Sequence, residues 1–172
     1  MSVPFHFPVQ IARVPPGGKH FLVAANDEQR KSVATALGIV EVVNLAAELD
    51  VRPTGGDAFA VKGTLRAGVV QADVVTLEPV EQEVREEIDL ILVPRDAHSR
   101  RGRAVDEERA PHDRDVYLGN EIDLGAIVLE HLALGLDPYP RSPGVEFPGH
   151  TESDLSDSSP FSALAKLKRE QE

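Results

Sequence analysis

The chain has 172 residues, 41% of them hydrophobic and 27% charged, which suits one domain with tails and is long enough to bury a core. Acidic residues outnumber basic ones 29 to 18, and a formal charge of −11 argues against bulk binding to a phosphate backbone. Cysteine is absent, which excludes disulfides and any thiolate-held zinc, haem or iron–sulfur group.

From the N-terminus, Val9–Val14 and His20–Ala25 are short apolar-rich runs separated by Pro15-Pro16-Gly17-Gly18, which predicts a β-hairpin. Asn26, with Gln29 three residues on, makes a capping box. Val33, Ala34 and Leu37 then form a helical stripe, and Gly38 stands where a left-handed C-terminal residue is wanted. One short helix therefore follows the hairpin. Val43, Leu45, Ala47, Leu49 and Val51 alternate with Asn44, Ala46, Glu48 and Asp50, a period of two. Thr54-Gly55-Gly56-Asp57 turns the chain into Phe59, Val61, Leu65, Ala67 and Val69, which alternate with Lys62, Thr64 and Arg66. After the run Val74–Leu77 and a break at Pro79, Val80, Val84, Ile88, Leu90 and Leu92 point one way. Glu81, Glu83, Arg85, Glu87 and Asp89 point the other. Strands with one apolar and one charged face belong to an antiparallel sheet covered on one side. The predicted fold class is α+β, mainly antiparallel β-sheet with short helices covering one face.

Residues 95–115 are polar and apolar-poor, as in a mobile loop, and Arg95, Arg100, Arg101 and Arg103 form the one local basic cluster. Val116–Leu118 adds a short strand. Asp123 caps a helix over Leu124–Leu136, with Leu124, Ile127, Val128, Leu132 and Gly135 toward the buried side. Pro138 and Pro140 end it and stiffen Asp137–Pro143 into an extended, polyproline-like segment. That segment either links two elements across the sheet or offers itself to a proline-recognising domain. Gly149–Ser159 is an acidic, Ser-rich linker, and Ser159-Pro160 opens a last short helix with Phe161, Leu164 and Leu167 on one side. A helix this short is ordered only when docked, on its own domain or on a partner. The expected organisation is thus a domain over residues 1–148, a linker over 149–159 and a docking helix over 160–169. With no apolar run of about 18 residues and no charged-then-apolar start, the expected compartment is the cytoplasm.

The sequence carries no phosphate-binding glycine loop, no dinucleotide fingerprint, no nucleophile elbow and no H-E-x-x-H. His131 beside Glu130 is the best acid–base candidate, but adjacent helix positions diverge by about 100° and do not converge on one substrate atom. His150, Asp154 and Asp157 lie in the linker, where a preformed metal site lacks rigid ligands. No catalytic residue, cofactor or metal site is expected, and the chain reads as a non-enzyme. The charged strand face reads first as a solvated surface, with Arg85 relieving repulsion between its neighbours.

Four segments together carry a resemblance: Gln71–Val80 (QADVVTLEPV), Ile122–Gly125 (IDLG), Leu134–Gly144 (LGLDPYPRSPG) and Ser159–Lys168 (SPFSALAKLK). Their order and spacing resemble the bacterial YceD (DUF177) family in its alphaproteobacterial form, over about Asp27 to Lys168. The resemblance implies a role in accumulation of large-subunit ribosomal RNA, with no enzymatic activity established for the family and its genes often adjoining that of a large-subunit ribosomal protein. Many relatives have a C-x-x-C pair where this chain has Asp73 and Thr76, and some have further cysteines where it has Arg141 and Ser142. A thiolate zinc site needs its sulfurs, so this chain holds its fold without one.

These readings point to a non-catalytic ribosome-biogenesis factor whose partner is a basic large-subunit ribosomal protein, a precursor ribosomal RNA or an assembly intermediate, with no membrane and no small-molecule substrate evident. Net charge favours the basic protein, received on Glu81, Glu83, Glu87 and Asp89 or on the acidic tail, where 121–172 carries −6. The alternative is direct RNA binding, with Arg100, Arg101, Arg103 and Arg141 on phosphates and Tyr139 stacking on a base. A hydrolase or nuclease built on Glu130, His131 and a metal is the remaining reading. Phe161, Leu164 and Leu167 are the residues by which the last helix would dock.

Overall fold

A computed structural model of the chain describes residues 4–95 and 113–142. The chain divides at Arg141 into two units, and the described residues belong to the first apart from Ser142. The linker and helix expected at 149–159 and 160–169, with Phe161, Leu164 and Leu167, lie outside the described residues, as do Arg100, Arg101 and Arg103.

Three long antiparallel strands form the centre: β3 (Glu41–Gly55), β4 (Ala58–Ala72) and β5 (Pro79–Pro94). β2 (Lys19–Ala24) pairs antiparallel with β3 at one edge, and β6 (Asp113–Tyr117) pairs parallel with β5 at the other. The order is β2-β3-β4-β5-β6. Local chemistry accounts for the β3–β4 turn, since Gly55, Gly56 and Asp57 take consecutive left-handed conformations. At Gly63 a side chain is impossible, because a Cβ would lie 1.9 Å from the Glu48 carbonyl oxygen on β3.

The expected alternation holds along β4 and β5 and fails at one place on β3. A bulge between Val42 and Asn44 inserts one residue, stabilised by the Gly68 N–H donating to Asn44 Oδ1 at 3.0 Å. The insertion reverses the phase: Val42 is buried and Val43, expected inside, is 50% exposed. Val74–Leu77 is a turn with Leu77 exposed, and Pro79 begins β5 opposite Ala72 instead of interrupting a strand. A first-position proline costs no ladder bond that an edge residue would need.

Helix α1 (Asp27–Leu37) starts and stops where its caps dictate. Asn26 Oδ1 accepts from Gln29 N–H, Gln29 Oε1 accepts from Asn26 N–H, both at 2.9 Å, and Gly38 closes the helix at φ 66°. The predicted hairpin before it does not form. β1 (Pro8–Gln10) pairs instead with β7 (Glu121–Asp123), more than 110 residues away, and is followed by a 3₁₀ turn over Ile11–Arg13. Pro15–Gly18 still turns the chain, through Gly18 N–H to the Pro15 carbonyl at 2.8 Å, but joins two different sheets.

Asp123 explains the preference. Its Oδ1 caps helix α2 (Leu124–Gly135) by accepting from Gly125 and Ala126 N–H, and also accepts from Phe7 N–H at 2.9 Å; its Oδ2 pairs with His6. Gly125 lets this N-terminal segment pass close, since a Cβ there would lie 2.7 Å from the Phe5 carbonyl and the Phe7 nitrogen. The IDLG segment is therefore a clasp for the N-terminus. One hydrophobic cluster lies on the inner face of the sheet, where α2 contributes Leu124, Ile127, Val128 and Leu132, α1 contributes Val33 and Ala34, and Phe5 is 1% exposed. Each fully buried Leu, Val or Phe contributes about 1.5–3 kcal/mol. No helix among the described residues is long and apolar enough to cross a membrane.

Candidate partner-binding face

The strand register decides what the outer face of the sheet presents. Side chains opposite one another form rows across the strands. His20, Asp50, Lys62 and Asp89 make the first row, in which Lys62 Nζ contacts Asp89 Oδ2 at 2.8 Å and His20 Nδ1 lies 3.4 Å from Asp50 Oδ1. Leu22, Glu48, Thr64 and Glu87 make the second. Ala24, Ala46, Arg66 and Arg85 make the third, and Asn44, Gly68 and Glu83 the fourth. Glu41, Val70 and Glu81 complete the pattern.

Of the predicted site residues, this face gathers Glu81, Glu83, Glu87 and Asp89, all exposed on β5. Asp89 is paired with Lys62. Arg85, between Glu83 and Glu87 along the strand, lies directly across from Arg66, and among the described residues neither arginine has an ion pair. Sequence reasoning placed Arg66 and Glu48 on the outward side but missed their part in the surface, because the cross-strand partner depends on register. Glu86 was also missed. It lies on the inner side opposite Leu65, half-buried, where Gly135 leaves room at the end of α2; a Cβ on Gly135 would lie 3.0 Å from Glu86 Oε1.

Tyr139 and Arg141 belong to a second locus. Asp73 is fully buried and its Oδ1 accepts from Val75 and Thr76 N–H at 2.7 and 3.0 Å, while its N–H donates to the Glu78 carbonyl at 2.8 Å. Thr76 Oγ1 accepts from Glu78 N–H, and Leu77 completes the turn at φ 61°. Asp73 and Thr76 are thus bound into one hydrogen-bonded turn. Val74 N–H donates to the Pro140 carbonyl at 3.0 Å, Gln71 Nε2 to the Asp137 carbonyl at 3.0 Å, and Gln82 exchanges bonds with Gly135 and Asp137. Asp137–Pro140 is therefore clipped to the end of β4 and β5, which favours the linking role for the proline-rich segment. Tyr139 is left 71% exposed beside exposed Arg141.

A cleft of about 270 Å³ between β6, β7 and α2 is lined by Asp115, Leu118, Glu121, Ala126 and Glu130 among others. Its carboxylates are partly occupied: Asp123 caps α2, and Glu121 Oε2 accepts from Gln10 Nε2 at 2.6 Å. His131 turns away from Glu130, with Nδ1 3.0 Å from the Ile127 carbonyl of its own helix. At the adjoining edge, the Tyr117 hydroxyl donates to the Asp57 carbonyl at 2.7 Å; burial pushes its pKa up, and the Asp57 carboxylate adds to the shift. Among the described residues no three His, Asp or Glu side chains form a group able to hold a metal ion.

No curated protein and no solved structure matches the chain. The model of one family does, over residues 61–168, from near the start of β4 through the Asp73 turn, β5 and α2. With well over half of its length matched, the chain belongs to the YceD family, described as large ribosomal RNA subunit accumulation protein.

Proposed function

We propose that the chain is a non-catalytic cytoplasmic factor in large-subunit biogenesis that supports accumulation or processing of large-subunit ribosomal RNA by binding a basic ribosomal protein or assembly intermediate. The observation that carries this reading is the outer face of the sheet, where among the described residues Glu48, Glu81, Glu83 and Glu87 are exposed and have no ion pair. Basic ribosomal proteins are strongly cationic, and an acidic surface speeds their encounter and rejects polyanions. Family membership supports the process, and the charge supports the kind of partner.

Affinity purification of the tagged chain at two salt concentrations, with bound protein and RNA both identified, tests the reading. Retention of a large-subunit protein, with RNA absent after nuclease treatment, is the expected result. Deleting the gene should lower large-subunit ribosomal RNA relative to small-subunit RNA; unchanged levels under several growth conditions would sink the proposal. Direct RNA binding is the second reading, favoured by the exposure of Tyr139 next to Arg141. Its signature is RNA retention that falls steeply with salt and with loss of Arg100, Arg101 and Arg103.

A further inference from the structure

We infer that the outer face recognises an order of charges, taking from a protein partner a segment that presents cation, carboxylate, cation, with the carboxylate seated between Arg66 and Arg85. The inference rests on the reading above, that this face receives a basic protein, and specifies how.

Its basis is the third row of the sheet. Arg66 and Arg85 are exposed and directly opposite in register, an arrangement that is unfavourable for like charges unless something neutralises them. Among the described residues nothing does so. Glu48 and Glu87 lie one row away on one side and Glu83 one row away on the other, yet among the described residues neither arginine is in an ion pair. In the same row Ala24 and Ala46 are small, so no large side chain of β2 or β3 stands in line with the two arginines. Two adjacent guanidinium forks match one carboxylate well.

The rows on either side carry the opposite sign. Two residues along a strand advance about 7 Å, so the Glu48–Glu87 row, the arginine row and the Glu83 row repeat at that interval. An occupant must therefore alternate at the same spacing. A phosphate would also suit the arginines, but a polyanion following the strands would meet Glu87 on one side and Glu83 and Glu81 on the other. A mixed-charge segment of a basic protein meets opposite charge in all three rows. That complementarity selects the protein partner.

Charge reversal of the arginines gives a test by sign. The doubly substituted Arg66→Glu, Arg85→Glu chain is four charges more negative, so a surface that merely attracts cations would bind a basic protein more tightly. The inference requires weaker binding instead. The probe is the protein fraction extracted from purified large ribosomal subunits, applied to immobilised full-length chain, with bound proteins identified and their retention quantified. At least tenfold lower retention of the protein captured by the unmodified chain is expected, with Arg66→Lys, Arg85→Lys restoring most of it. Arg66→Gln, Arg85→Gln, which adds no repulsion, should also weaken retention, and thermal melting confirms that each variant is folded. Tighter or unchanged retention by the Glu and Gln variants overturns the charge-order inference and leaves the acidic-face reading standing. If the unmodified chain retains no large-subunit protein, the acidic-face reading itself falls and takes this inference with it. If the substitutions abolish retention of ribosomal RNA fragments and not of protein, the arginines serve phosphate, and the inference is again overturned.

Discussion

The two faces of one sheet obey different rules in this molecule. On the inner face, Leu49, Val51, Val61 and Leu65 are fully buried, and every position is constrained by its neighbours. On the outer face all five rows carry charge, and of Glu48, Glu81, Glu83, Glu87, Arg66 and Arg85, all exposed, none is committed to an ion pair among the described residues. Satisfied surfaces hold a fold together, whereas unsatisfied ones at modest cost remain available for recognition. Adjacent residues on β4 make the contrast testable because they share a strand and face opposite sides of the sheet.

Leu65→Ala should give the largest loss, about 2–5 kcal/mol of unfolding free energy by urea titration, because a buried cavity forms at the middle of the sheet. Arg66→Ala, one residue on, should stay within about 0.5 kcal/mol. A comparable loss in both would erase the distinction between the faces. Next in size, Asp123→Ala removes the α2 cap and the anchor of Phe7 together, and should cost about 2 kcal/mol. Hydrogen exchange at Phe7 and Leu124 should rise with it, and unchanged exchange there would break the clasp argument.

Asp73→Ala leaves two turn amides without their acceptor and should cost about 1–2 kcal/mol, whereas Asp73→Asn, which keeps an Oδ1, should cost less. Equal losses would mean that the turn does not depend on that oxygen. The smallest effect is alkaline. Tyr117 holds its proton more tightly when folded than when unfolded, where its pKa is about 10, so the stability it contributes is fully present below that pH and is lost as pH rises toward the folded value. In a Tyr139→Phe background, which leaves Tyr117 as the only tyrosine, the ultraviolet titration of the folded chain should run above that of the urea-unfolded chain. Coincident titrations would contradict the burial assigned to that ring.

Much of this was legible because short-range chemistry governs it. The period of two along β4 and β5, the Asn26–Gln29 box, Gly38 and the Asp123 cap each depend on residues within a few positions, and all are observed. The acidic lane of β5 belongs to the same class, being a matter of parity along one strand. The Asp73 turn was not legible as a turn, since the apolar run Val74–Leu77 masked it. Its hydrogen bonds to Val75 and Thr76 show how carboxylate and hydroxyl oxygens shape that turn in this chain.

What the sequence by itself determined was the three central strands, the two helices with their caps and the sign of each face of β4 and β5, because these follow from dihedral preference, capping and alternation over a few residues; β7 was not foreseen, and β6 begins at Asp113, inside the stretch expected as a loop. Only the tertiary structure decided that β1 pairs with β7, that a bulge turns Val43 outward, and that Arg66 meets Arg85. Those outcomes turn on which distant backbone groups find partners once the core closes. A one-residue change in register alters every cross-strand pair while leaving the local pattern intact.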